Sequence, residues 1–163
     1  MILILWFSII AAAVVLDQVT KMIVVKNLMP IGSADFIKGI VGFRYTENTG
    51  AAFGMLKDHR WFFLIFSSIA IIAVMIILVV YRKKMHPLLS LTLALFAGGG
   101  IGNQIDRLVK GYVVDFIEFQ FVDFAIFNVA DIFVTVGACI GILYFLIFEV
   151  FRKNGEESIK NEN

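Results

Sequence analysis

The sequence has one cysteine, Cys139, and two widely separated histidines, His59 and His86, among 163 residues. One thiol cannot form an intramolecular disulfide, and this set cannot assemble a standard Cys/His zinc site. Charge is scarce as well: 17% of residues are Asp, Glu, Lys or Arg, against 60% hydrophobic. Lys plus Arg number 14 and Asp plus Glu 13, so the clustered positive charge that a nucleic-acid binder needs to neutralise phosphates is missing. The composition also excludes disorder and collagen-like repeats. No Gly-x-Ser-x-Gly elbow, His-Glu-x-x-His helix or Gly-x-x-x-x-Gly-Lys loop occurs. Chemistry here is left to carboxylates, amides, hydroxyls and amines, with no metal and no cofactor expected.

What the chain does have is long apolar runs. Four are long enough to cross about 30 Å of hydrocarbon at about 1.5 Å per residue: 2 to 25, 61 to 81, 87 to 108 and 127 to 150. The fold class expected is an all-α membrane protein of four transmembrane helices, with residues 1–163 forming a single integral membrane unit. The first run is read as an uncleaved span. Ala11, Ala12 and Ala13 resemble a cleavage site, but no Lys or Arg precedes the run and it resumes after Asp17 with Met22 to Val25. Arg82, Lys83 and Lys84 lie between the second and third spans, and Arg152 and Lys153 follow the fourth. Lys and Arg are retained on the cytoplasmic side, so both termini are expected there. The segment 26 to 60, with Lys26, Lys38, Arg44, Lys57 and Arg60 beside Asp35, Glu47 and Asp58, then falls outside.

Residues 36 to 46 are rich in β-branched and aromatic types and broken by Gly39 and Gly42, which predicts a short bent hairpin or small sheet. Residues 112 to 127 are similar, with Phe116, Phe119, Phe121, Phe124 and Phe127 suited to the membrane interface. Gly98 with Gly102, and Gly137 with Gly141, are small-xxx-small pairs that predict close helix approach. Cys139, mid-span, is expected to be an inert packing residue. The polar tail, 152–163, is expected to be disordered from Asn154 onward.

Charges inside spans cost about 2.5–3.5 kcal/mol or more, so their positions carry information. Asp17 and Lys21 share a helix face at i, i+4 near the outer end of the first span. Asn103, Asp106 and Arg107 lie near the outer end of the third, where Asp106 with Arg107 reads equally well as a helix-end ion pair. Asn128 reads as the N-cap of the fourth helix. Asp131, three residues in, reads as past the cap and has no basic residue at i±3 or i±4, so it needs a partner from another segment. Asp115 sits among apolar residues in a loop against the membrane. With the topology imposed, all these groups fall at one external boundary.

Asp115 and Asp131 are the candidates for a coupled pair, because two carboxylates brought close cannot both ionise easily; one holds a proton while the other accepts one from water. Lys21, Arg107 and the amides of Asn48, Asn103 and Asn128 could align a peptide or stabilise an oxyanion. Spacing alone cannot show that the two aspartates meet. The alternative reading is a small four-span ion-coupled transporter, which favours ionisable residues near the midplane over charges gathered at one face. A non-enzymatic assembly factor would explain the glycine pairs but not the aspartates.

The motifs Asp17-Gln-Val-Thr-Lys21, Asn48-Thr-Gly-Ala-Ala-Phe53, Gly98-Gly-Gly-Ile-Gly-Asn103-Gln-Ile-Asp106-Arg107, Val114-Asp115-Phe116 and Phe127-Asn128-Val-Ala-Asp131, in this order over nearly the whole chain, closely resemble the lipoprotein signal peptidase (signal peptidase II) family. The resemblance implies an intramembrane aspartyl endopeptidase of the bacterial cytoplasmic membrane, with its site on the extracytoplasmic side. It implies diacylglyceryl-modified prolipoproteins as substrates, cut before the lipidated cysteine, and membrane lipids as surroundings. It places the catalytic dyad on Asp115 and Asp131, and supporting roles on Asp17, Lys21, Asn48, Gly99, Asn103, Arg107 and Asn128. It also implies a small extracytoplasmic β cradle around Phe36 to Phe53. With all these residues in one chain, a monomer suffices. Burial in the span points to Asp131 as the proton holder of the pair.

Overall fold

The structure, a computed structural model, describes residues 2–50 and 59–161, with side chains through residue 148. Four helices, α1 (Ile2–Asn27), α2 (Arg60–Val80), α3 (Pro87–Val109) and α4 (Val129–Asn161), each contain a stretch long and apolar enough to cross a membrane. Three strands, β1 (Ser33–Ile37), β2 (Val41–Asn48) and β3 (Val113–Phe119), make one antiparallel sheet in the order β1-β2-β3. The expected spans and cradle are therefore present, and β3 completes the cradle from the far side of α3.

The helix ends follow from local chemistry. α3 starts at Pro87, whose missing N–H costs nothing in the first turn, and the His86 imidazole accepts the Leu88 N–H. The β1–β2 hairpin turns at Gly39, whose φ of 78° is left-handed and suits glycine. Where the sequence predicts disorder from Asn154, the backbone of α4 instead continues helical to Asn161. A helix already nucleated in the membrane propagates at low cost, and no proline stops it.

α3 lies at the centre, packed on α1, α2 and α4. Small residues let the axes close. A Cβ on Gly98 would sit 2.7 Å from the Ala13 side chain, and one on Gly137 3.1 Å from the Thr92 carbonyl oxygen, so both predicted glycine pairs lie at helix contacts. On α1 the buried positions are Trp6, Ile10, Ala13, Asp17, Lys21 and Val24, a stripe at spacings of three and four. Its exposed face carries Ile4, Val15, Leu16, Val19, Met22 and Ile23. The charged residues thus point inward and the greasy ones outward, as lipid demands. Cys139 is exposed on α4 and does not pack in the core. Because that helix is apolar all round, composition could not say which face turned inward.

The sheet sits at the end of the bundle formed by the C-termini of α1 and α3 and the N-termini of α2 and α4. Val114 and Phe116 of β3 pack with Val24 and Leu28 at the end of α1. Alternate strand residues point to opposite faces. Burying Val114 and Phe116 on one face therefore aims Asp115 at the other, toward the start of α4.

Candidate active site

Asp115 is 3% exposed and is gripped by two amides. Asn48 of β2 donates to its Oδ2 at 2.8 Å and Asn128 donates to its Oδ1 at 2.6 Å. The Asn128 amide also donates to Asn103 Oδ1 at 3.0 Å, and Asn103 in turn donates through Nδ2 to Asp131 Oδ1 at 2.8 Å. A continuous line of amides therefore joins the two carboxylates, with β2, β3, α3 and α4 each contributing a member.

Asn128 caps α4: its Oδ1 accepts the Asp131 N–H at 3.0 Å, while Asp131 Oδ2 accepts the Asn128 N–H at 3.1 Å. This reciprocal pair is a capping box with aspartate in the third helical position. Asp131 is accordingly part of the cap, not past it as its distance into the span suggests, and its orientation is fixed by the helix start. The neighbouring Ala130 N–H is taken by Asp17 Oδ1 at 3.0 Å, so side chains satisfy two of the orphan amides of this terminus.

Beneath this line lies a buried charge cluster. The Lys21 ammonium, with no exposed surface, is 2.9 Å from Asp17 and 3.2 Å from Asp106 and donates to Asn103 Oδ1 at 2.8 Å. Asp106 is also paired with Lys110 at 3.0 Å. Side chains at i, i+1 on a helix diverge: Asp106 does not pair with its neighbour Arg107, and the helix-end ion-pair reading of those two fails. Arg107 instead donates to the Gly50 carbonyl at 3.2 Å and lies over the Phe63 ring at 5.1 Å. Asn48 Oδ1 accepts the Gly50 N–H at 2.9 Å. The rest of the Asn48–Phe53 motif, from Ala51, lies outside the described residues.

Gly99 has a steric role. A Cβ there would stand 2.4 Å from the Ala130 carbonyl oxygen and 2.8 Å from Val134 Cγ2, and one on Gly102 would stand 2.5 Å from Asp17 Oδ2. The nine residues singled out by sequence thus all belong to one assembly, with Gly99 at its helix contact and the others in its polar network. Sequence reasoning assigned no site role to Asp106, Gly102 or Gln18; Gln18 bridges Asp17 and the Gly102 carbonyl at 3.1 Å each. The signals available were the i, i+4 spacing of Asp106 to Lys110 and the position of Gln18 inside the first motif.

Asp115 and Asp131 both line a cavity of about 510 Å³. Its polar groups are these two carboxylates, Asn48 and Thr135, and its walls include Phe119, Phe124, Ile126, Phe127 and Ile132. Burial pushes the Asp115 carboxyl up to about 6 against the pull of the Asn48 amide, and the nearby Asp131 charge pushes it further. Asp115 is the more buried member of the pair, whereas position in the span pointed to Asp131. Two carboxylates lining one greasy cavity can supply an acid and a base together.

A membrane-spanning bundle with a polar, carboxylate-bearing cavity at one end defines an integral membrane protein with the furnishings of an enzyme. The chain belongs to the signal peptidase II family, whose model, described as "Signal peptidase (SPase) II", matches residues 9–148. A lipoprotein signal peptidase of Caldanaerobacter subterraneus subsp. tengcongensis is 46% identical over 86% of this chain and 94% of its own. One from Brevibacillus brevis is 40% identical over 92% and 99%. The fold also matches a bacterial membrane enzyme solved by the in meso method at 2.3 Å resolution, with a TM-score of 0.78, 34% identity, and coverage of 86% of this chain and 87% of that one.

Proposed function

We propose that this chain removes the signal peptide from diacylglyceryl-modified prolipoproteins, cutting before the lipidated cysteine, as an aspartyl endopeptidase with Asp115 and Asp131 as its dyad. The observation that carries this reading is the pair itself: two carboxylates joined by the Asn128–Asn103 amides and opening on one apolar cavity. The family's named relatives supply the substrate class.

In this mechanism Asp131 is ionised and takes a proton from water as its oxygen attacks the scissile carbonyl carbon. Asp115, protonated, gives its proton to the carbonyl oxygen. The tetrahedral intermediate then collapses: its hydroxyl returns a proton to Asp115, the C–N bond breaks, and Asp131 delivers its proton to the leaving nitrogen. Asn48 and Asn128 hold Asp115 from both oxygens, and Asn103 holds Asp131. Lys21 turns Asn103 by occupying its carbonyl oxygen. Arg107, with one described hydrogen bond, keeps donors for a substrate carbonyl.

A lipid-modified substrate suits a site at the end of the bundle, because its acyl chains can stay in hydrocarbon while the scissile bond reaches water. The site end faces away from Arg82, Lys83 and Lys84, and by the positive-inside rule this supports a site on the extracytoplasmic side of the bacterial cytoplasmic membrane with both termini in the cytoplasm. One chain brings every site residue, and a monomer suffices.

The test is incubation of purified protein with a diacylglyceryl-modified precursor peptide beside its unlipidated form. The lipidated peptide alone is expected to be cleaved, and Asp115→Asn or Asp131→Asn is expected to abolish cleavage in a protein that still folds. Turnover by either variant would overturn the dyad, and equal cleavage of both peptides would overturn the substrate class.

A further inference from the structure

Asp106 has no part in the chemistry above, yet its carboxylate is fully buried and holds three partners, on β3, on α1 and at the C-cap of α3. Its Oδ2 accepts the Val114 N–H at 3.0 Å and lies 3.2 Å from Lys21 Nζ, and its Oδ1 lies 3.0 Å from Lys110 Nζ. Val114 directly precedes Asp115 in β3 and is itself fully buried, so this contact fixes the backbone that carries one aspartate. Lys21 leads to the other, through Asn103 and its 2.8 Å bond to Asp131. Asn128 joins the two arms at their side chains, through Asp115 and Asn103; Asp106 joins them one layer beneath, at the β3 backbone and at Lys21.

We propose that Asp106 is a positioning residue of the dyad, helping to set the separation of Asp115 and Asp131 by tying the β3 backbone and the Lys21–Asn103 arm to one carboxylate of α3. This rests on the dyad assignment made above. A dry aspartate in this place is costly unless it is paired and hydrogen-bonded. Here the Val114 amide and two ammonium groups meet that need, and one of those ammonium groups, Lys110, can be removed without touching either arm.

The inference separates two perturbations. Asp106→Asn keeps the shape but loses the charge that holds Lys21; Asp106→Glu keeps the charge but lengthens the reach by one methylene, displacing Val114. Both are expected to lower kcat on the lipidated peptide by about 30- to 100-fold with KM within about twofold, since misplacing reacting groups by about 1 Å costs on that order. Lys110→Met is expected to stay within about threefold of wild type on the same reasoning.

A second readout does not depend on cleavage: titration of the Asp115 carboxyl followed by carbon-13 NMR. Asp115 is flanked by Asp131 of α4, Lys21 of α1 and Arg107 of α3, with Asp106 behind Lys21. Neutralising Asp106 leaves the Lys21 charge less compensated, so in Asp106→Asn the titration of Asp115 moves to lower pH. Folding is checked by thermal melting. A folded Asp106→Asn with wild-type kcat and an unmoved Asp115 titration overturns the proposal, as does a loss confined to KM. If Asn does not fold, Glu decides by the same kcat criterion, and failure of both to fold overturns positioning in favour of a purely structural role. If wild type itself leaves the lipidated peptide uncut, the functional reading fails, and the titration still decides whether Asp106 governs Asp115.

Discussion

Replacing Gly99 with alanine should disable the enzyme without unfolding it. The added Cβ would stand 2.4 Å from the Ala130 carbonyl oxygen, and ordinary contact begins at 3.4 Å. That oxygen belongs to the backbone and cannot rotate aside, so the first turn of α4 must retreat from α3 by about 1 Å, the shortfall between those two distances. Asp131 rides on the same turn. Its 2.8 Å bond from Asn103 would stretch beyond useful hydrogen-bond length, and so would the 3.0 Å bond from the Ala130 N–H to Asp17. A displacement of about 1 Å at a reacting group costs about 100-fold in rate. The assay is cleavage of a diacylglyceryl-modified precursor peptide, resolved by mass spectrometry, with kcat and KM separated. The loss is expected in kcat, with a folded protein by thermal melting. Gly100→Ala is the matched control: its Cβ would meet only the flexible Ile71 side chain, at 3.1 and 3.3 Å, and activity should stay near wild type. Gly99→Ala cleaving within about threefold of wild type would refute the reasoning, and so would equal impairment of both variants, because that would point to a general effect of glycine loss in a membrane helix.

Other expectations follow from the same geometry. On the proposed mechanism, activity should fall as pH rises through about 6, because Asp115 would give up the proton assigned to it for donation; a flat profile from pH 5 to 8 would contradict this. The sign for stability is the same: with its carboxyl raised above the unfolded value of 3.8 to about 6, the native state binds more protons across that window. Ionising Asp115 therefore costs about 3 kcal/mol, which a pH series of melting temperatures measures as a decline from pH 4 to 7. Lys21→Met should lose about 3–5 kcal/mol, since it leaves Asp17 and Asp106 buried without their shared cation; an unchanged melting temperature would rule this out. Chelators should leave cleavage intact, because the site carboxylates are engaged by amides and ammonium groups, and activity lost in EDTA and restored by zinc would reverse that view.

The spans and cradle were legible because bilayer thickness and turn chemistry leave local marks: long apolar runs for the helices, Gly39 for the hairpin. The charged candidates were legible too, as charges in expensive places, whereas Gly99 came from the family resemblance alone. Their pairing was not. Asp17 reaches the Ala130 N–H across 113 positions of sequence, and nothing local encodes that contact. Asp106 was matched to its sequence neighbour Arg107 although helix geometry sends the two apart. The raised proton affinity of Asp115 comes from tertiary burial between β3 and α4, which position along a span cannot reveal. The lipid-facing side of Cys139 escaped detection because α4 has no polar face there to break the symmetry.

The capping box at the start of α4 has a consequence for biogenesis. Asn128 and Asp131 stand at the start of the fourth described span, which is synthesised after the other three, and the line of amides from Asp115 runs through them. Until that helix enters the bilayer, Asp115 has no second carboxylate and the cavity lacks the wall made by Ile132 and Thr135. On the proposed dyad, a chain that lacks this helix is therefore expected to be proteolytically silent.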